Sequence, residues 1–178
     1  MKIISKLIAL WSVVLITACS STQSLQEYYV DNSDNPNFLK FDLPTSVLNL
    51  SEADLTVAQR DALKSFKKLN ILAFKKTADN DVEYTAEKKV VSNILKNDKF
   101  NELMKLNFGA GKASVQYLGD DDAIDEVVIY GSSDDNGFAL IRILGDNMNP
   151  AHLAQLLKAL QKSNYKGEGL EQIVDFLK

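Results

Sequence analysis

Cys19 is the only cysteine in this 178-residue chain, and it stands directly behind Ile16-Thr17-Ala18. A thiol behind small residues is the substrate pattern for acylation: the peptide is cut before the cysteine and the sulfur is alkylated by diacylglycerol. The preceding residues fit that chemistry. Lys2 and Lys6 give a positive start, and Leu7 to Ile16 carry no charge. Secretory leaders share this layout. The apolar run falls well short of the roughly 20 residues a bilayer-spanning helix needs. The expectation is a signal peptide over 1–18, cleavage between Ala18 and Cys19, and fatty acyl chains of the palmitate class on the new terminus. Two or more buried chains anchor stably where one is marginal, at about 0.8 kcal/mol per buried methylene.

The other candidates are weaker. His152 is the only histidine. A zinc site or a Ser-His-Asp triad needs several convergent groups, so His152 is read as a surface residue. Asp120, Asp121 and Asp122, with Asp125 and Glu126, form the densest acidic group. Calcium takes about six to eight oxygen ligands, and three adjacent carboxylates offer some of them. The spacing lacks the central glycine and distal glutamate of an EF-hand, so a solvated hairpin tip is the expectation. Asp79, Asp81 and Glu83 are read the same way. Gly109-Ala110-Gly111-Lys112 precedes a strand, so it is a helix stop and not a phosphate loop. Lys64, Lys67, Lys68, Lys75 and Lys76 make the only basic cluster. The first three share a face at helical spacing, read as solvated, with lipid headgroups or an acidic partner as the alternative. Arg142 alternates with apolar neighbours in a strand, which suits an ion pair or a binding role. No motif calls for a cofactor.

Charge narrows the partners. Lys and Arg number 20 and Asp and Glu 24. Loss of residues 1–18 removes Lys2, Lys6 and no acid, taking the formal charge from −4 to −6. Arginine occurs only at Arg60 and Arg142. That balance excludes nucleic acid, whose phosphates need clustered cations.

The elements that must position these residues follow from periodicity. Residues 19–37 are polar and rich in turn formers, and read as a lipidated tether. Phe38 to Leu43 alternates and stops at Pro44, a strand signal, with a short helical turn expected to about Leu50. Ser51-Glu52-Ala53-Asp54 and Thr56-Val57-Ala58-Gln59 both resemble capping boxes, the second better placed. A helix from Thr56 to about Lys68 would bury Ala62, Leu63 and Phe66. Leu69 to Phe74 is largely apolar, as in a central strand. Thr85 to Leu106 has helical spacing, with Val90, Val91, Ile94, Leu95, Leu103 and Met104 as its stripe and a possible break at Asn97-Asp98. Lys112 to Leu118, Ile124 to Tyr130 and Phe138 to Leu144 are strands joined by short loops, an antiparallel meander. Val127, Ile129, Ile141 and Ile143 should share its core face. Pro150, capped by Asn149, starts a helix, and an amphipathic helix over 170–177 ends the chain. The expected fold is α+β: about five strands in one largely antiparallel sheet, in β-α-β-α-β-β-β-α order, with helices on one face. Residues 38–178 suit a single domain, about 140 residues being a typical size.

Leu69-Asn70-Ile71-Leu72-Ala73-Phe74, Phe100-Asn101-Glu102-Leu103-Met104 and the run Ala139 to Asp146 resemble the small bacterial lipoproteins and exported proteins grouped as domain of unknown function forty-two fifty-two. The resemblance spans roughly 38–160. It implies the fold and an envelope location and brings no catalytic motif. Ser20 follows the cysteine and no acidic run follows it, which leads to an outer-membrane anchor facing the periplasm. Two function classes remain. One is a non-enzymatic binding module for another envelope protein or component; the other is a small-ligand carrier or an enzyme whose site spacing does not reveal. The first is preferred.

Overall fold

The computed structural model describes residues 23–44, 56–108, 111–120 and 122–155, without the side chains of Leu106 and Phe108. The elements are α1 (Leu25–Asp31), β1 (Phe38–Pro44), α2 (Val57–Ser65), β2 (Phe66–Lys75), α3 (Asp81–Leu95), β3 (Asn101–Phe108), β4 (Gly111–Asp120), β5 (Ala123–Ser133) and β6 (Gly137–Met148). Residues 150–155 then open a further helix, α4. The strands form one sheet in the order β1-β2-β6-β5-β4-β3. Every pairing is antiparallel. The fold is α+β with a single six-stranded sheet.

The local signals explain most boundaries. Thr56 caps α2 with a full capping box to Gln59. The amide of His152 donates to Asn149 Oδ1 at 3.1 Å, which caps α4. The meander strands run longer than their apolar cores, and β6 reaches Met148. The turn between β5 and β6 shrinks to residues 134–136. Gly137 permits this turn: its φ is +125°, and a Cβ there would stand 2.0 Å from the Phe74 carbonyl oxygen.

Five expectations need correction. The sheet has six strands, because the expected helix over 85–106 ends at Leu95. Asn97 then makes a turn, its amide donating to the Ile94 carbonyl and its side-chain oxygen accepting from the Lys99 amide. Leu103 and Met104 lie on β3. A short apolar run suits either period, and pairing with β4 decided this one. Second, α2 stops at Ser65, so Phe66, Lys67 and Lys68 belong to β2.

Third, the tether reading fails for residues 25–31. Ser24 and Glu27 form a reciprocal capping box, and Leu25, Tyr28 and Tyr29 are buried. Fourth, helices cover both faces. On one, Ala62 of α2 and Leu153 of α4 join Leu69, Ile71, Val115, Val127 and Ile143. On the other, α1 and α3 pack on Leu72, Phe74, Val128, Phe138 and Leu140. Strand side chains alternate between faces, so β2 is apolar on both. Fifth, the run Gly109 to Lys112 joins β3 to β4, so it does not stop a helix as expected. The expected short turn to Leu50, the first of the two capping boxes and the helix over 170–177 lie outside the described residues.

Candidate functional site

A polar row crosses the sheet beneath α1. Registered pairing sets Asp42 beside Asn70, Asn70 beside Arg142, and Arg142 beside Val128. Arg142 is 5% exposed. Its Nε donates to Glu126 Oε1 at 2.6 Å and its Nη2 to Oε2 at 3.0 Å. Its Nη1 donates to Gln26 Oε1 of α1 at 2.6 Å. A planar guanidinium on a carboxylate is the strong form of ion pair. It closes the floor of a cleft of about 220 Å³, lined by Gln23, Ser24, Asn97, Lys99 and Leu118 among others.

The row continues toward β1. The Tyr29 hydroxyl lies 3.0 Å from both the Phe41 carbonyl oxygen and Asp42 Oδ1, donating to each. The Asn70 side chain also donates to Asp42, and Lys68 Nζ stands 3.5 Å from it. Burial raises the Asp42 pKa, but the Tyr29 and Asn70 hydrogen bonds and the Lys68 charge outweigh it, leaving the carboxyl below its usual value. Burial, with the Asp42 hydrogen bond, pushes the Tyr29 hydroxyl up. Burial and a 2.7 Å bond to Glu87 do the same to Tyr28. Burial lifts Tyr130 to about 12, against the pull of Lys88. The Tyr28 and Tyr29 hydroxyls are neutral donors at ordinary pH. The cleft clamps α1 onto the sheet.

The opposite face is different. Ala73 pairs with Ala139, Ala139 with Gly131, and Gly131 with Ala113. Beside this small-residue row runs a bulky one, Phe41-Ile71-Ile141-Ile129-Val115-Met104. The step between them leaves an apolar hollow of about 340 Å³, bounded by Ala113, Ile129, Gly131, Ala139 and Ile141 and reaching Asn136 at the turn.

Residues 28–156 match a family described as Domain of unknown function (DUF4252). The chain belongs to the DUF4252 family. The matched stretch begins inside α1 and takes in all six strands. No curated protein and no solved structure matches the chain. Within the DUF4252 domain, no described helix is long and apolar enough to cross a membrane.

The candidate residues fall as follows. Cys19 and Asp121 lie outside the described residues. Asp120 and Asp122 are exposed. Among the described residues, no group of three or more His, Cys, Asp or Glu stands close enough to hold a metal ion. His152 is half-buried in the first turn of α4. The lysines do not share a helical face, since Lys67 and Lys68 are on a strand. Lys64 pairs with Asp61, Lys67 with Asp146, and Lys76 with Asp81 at 2.9 Å. Glu83 accepts from the Asn35 and Asn37 side chains. Arg142 takes the structural ion pair. The sequence reading missed Gln26, whose helix was readable from Ser24-x-x-Glu27 and the Leu25, Tyr28, Tyr29 spacing. It also missed the hollow, because small residues on separate strands align only once register is known.

Proposed function

We propose that this DUF4252 protein is a lipid-anchored envelope domain, acylated at Cys19 and held on the periplasmic side of an outer membrane, acting as a non-enzymatic binding module. The observation that carries the binding role is the apolar hollow over Ala113, Gly131 and Ala139. The Arg142, Glu126 and Gln26 side chains in the other cleft are occupied with one another, whereas the hollow presents apolar surface with room above the backbone. Its size and lining also suit a small apolar ligand, and this supports carriage as the second reading.

Labelled fatty acid should enter the wild type and not Cys19→Ala; incorporation that survives the substitution removes the anchor reading. Ala139→Leu fills the hollow. It should abolish crosslinking to a partner in native envelopes while leaving the melting temperature near that of the wild type. An unchanged crosslinking pattern in a folded variant sinks the binding role of the hollow. An apolar small molecule extracted from the purified wild type and absent from Ala139→Leu would select carriage.

A further inference from the structure

Within the expected tether of 19–37, residues 25–31 form a packed helix. Leu25, Tyr28 and Tyr29 are buried at 4%, 1% and 3%. Gln26 is held by Arg142 and Tyr28 by Glu87. Helix α1 is therefore part of the rigid domain, and its start is fixed by the Ser24–Glu27 box. Four Cα–Cα steps join Cys19 to Gln23, a reach of at most about 14 Å.

Gln23 and Ser24 line the cleft with Asn97, Lys99, Leu118 and Glu126. That places the start of α1 at one end of the sheet, beside the 96–100 turn and the β4–β5 connection. The turn at 134–136 is at the other end. From Glu126 to Ser133, β5 alone covers about 23 Å at about 3.3 Å per residue.

Given the acylation of Cys19, we infer that the domain is held close to the bilayer with a fixed polarity. The partner is the lipid headgroup surface. The end bearing Gln23, Lys99 and Asp120 faces it, and the 134–136 turn with the adjoining rim of the hollow points away. The inverted arrangement would lift Gln23 about 23 Å from the surface, beyond the reach of four residues. Lys96, Asp98, Lys99, Asp120 and Asp122 are exposed at the near end. Among the described residues the large exposed hydrophobics are Val30, Val57 and Val82, and none of them lies in the 96–100 turn or the β4–β5 connection. Among the described residues, the near end therefore apposes headgroups through polar side chains.

The test uses the full-length lipidated protein. Acylation consumes the Cys19 thiol, so Lys99→Cys or Asp135→Cys adds the only free one, which is labelled with a fluorophore. The variants are reconstituted in phosphatidylethanolamine–phosphatidylglycerol vesicles carrying a nitroxide on the headgroup. Quenching at position 99 should exceed that at 135 several-fold. A Gly/Ser spacer between Ser21 and Thr22, of about ten residues and about 35 Å in contour, should bring the two toward equality. Equal quenching without the spacer, or stronger quenching at 135, overturns the polarity. Flotation of the same samples separates the two ideas. Protein that floats but shows no difference refutes the polarity alone, whereas protein that does not float removes the anchor and the polarity with it.

Discussion

Arg142 on β6 and Glu126 on β5 grip each other through two bonds, of 2.6 and 3.0 Å, although Val128 is the residue directly across from Arg142. The pair is diagonal, one step along the same face. A third bond to Gln26 turns it into the fastening of α1. Removing one member of such a pair strands a buried charge, whereas removing both does not.

Arg142→Met should therefore cost about 3–5 kcal/mol of stability. The double variant Arg142→Met with Glu126→Leu should recover most of that loss. Urea melts of unlipidated protein measure both. A double variant no more stable than the single would mean that Arg142 acts mainly through Gln26.

Asp42 gives the fold an acid limb. Its folded pKa lies below the ordinary value of 3.8. The stability it contributes is full above the ordinary carboxylate range and is lost as pH falls through the lowered value. Asp42→Asn should flatten the decline in melting temperature below about pH 4. An unchanged acid limb would assign the decline to other carboxylates.

The hollow predicts a graded core. Ile124 is fully buried, while Ile141 borders open space. Truncation costs rise with the cavity left behind, so Ile124→Ala should fall near the upper end of the usual 2–5 kcal/mol and Ile141→Ala near about 2. Asp120→Asn, at the exposed end of β4, should change stability by no more than about 0.5 kcal/mol. The same melts decide the ranking, and a costlier Ile141→Ala would show that the hollow is closed in solution.

Gly137→Ala should be as damaging as a core truncation, at about 3 kcal/mol or more, because it combines positive φ with a clash against the Phe74 carbonyl. Native-state amide exchange should show the loss concentrated at the Lys75–Gly137 end of the β2–β6 pairing. A near-neutral result would mean that the turn reshapes freely.

The meander was legible because Val127, Ile129, Ile141 and Ile143 alternate and their connections are short. The central place of β2 was legible in its largely apolar run, Leu69 to Phe74, although the covering of both sheet faces was not. The strand at 101–108 was not, since Leu103 and Met104 extend the stripe of α3 as readily as they start a strand. Only the pairing of Met104 with Val115 and of Lys105 with Ser114 distinguishes the two. The role of Arg142 was half legible: alternation put it on a strand face, but Glu126 and Gln26 come to it through register and helix docking, which no local pattern encodes.

The strand order also sets a timetable. β2 acquires one neighbour, β1, at once, but its other is β6, the last strand, with Ile141 paired to Ile71 across seventy residues of chain. Contacts of such long range form late. A polypeptide emerging from its amino terminus thus keeps an open edge on its most apolar strand until nearly all of the domain has been made. Neither core can close before then, and the chain stays threadable up to that moment.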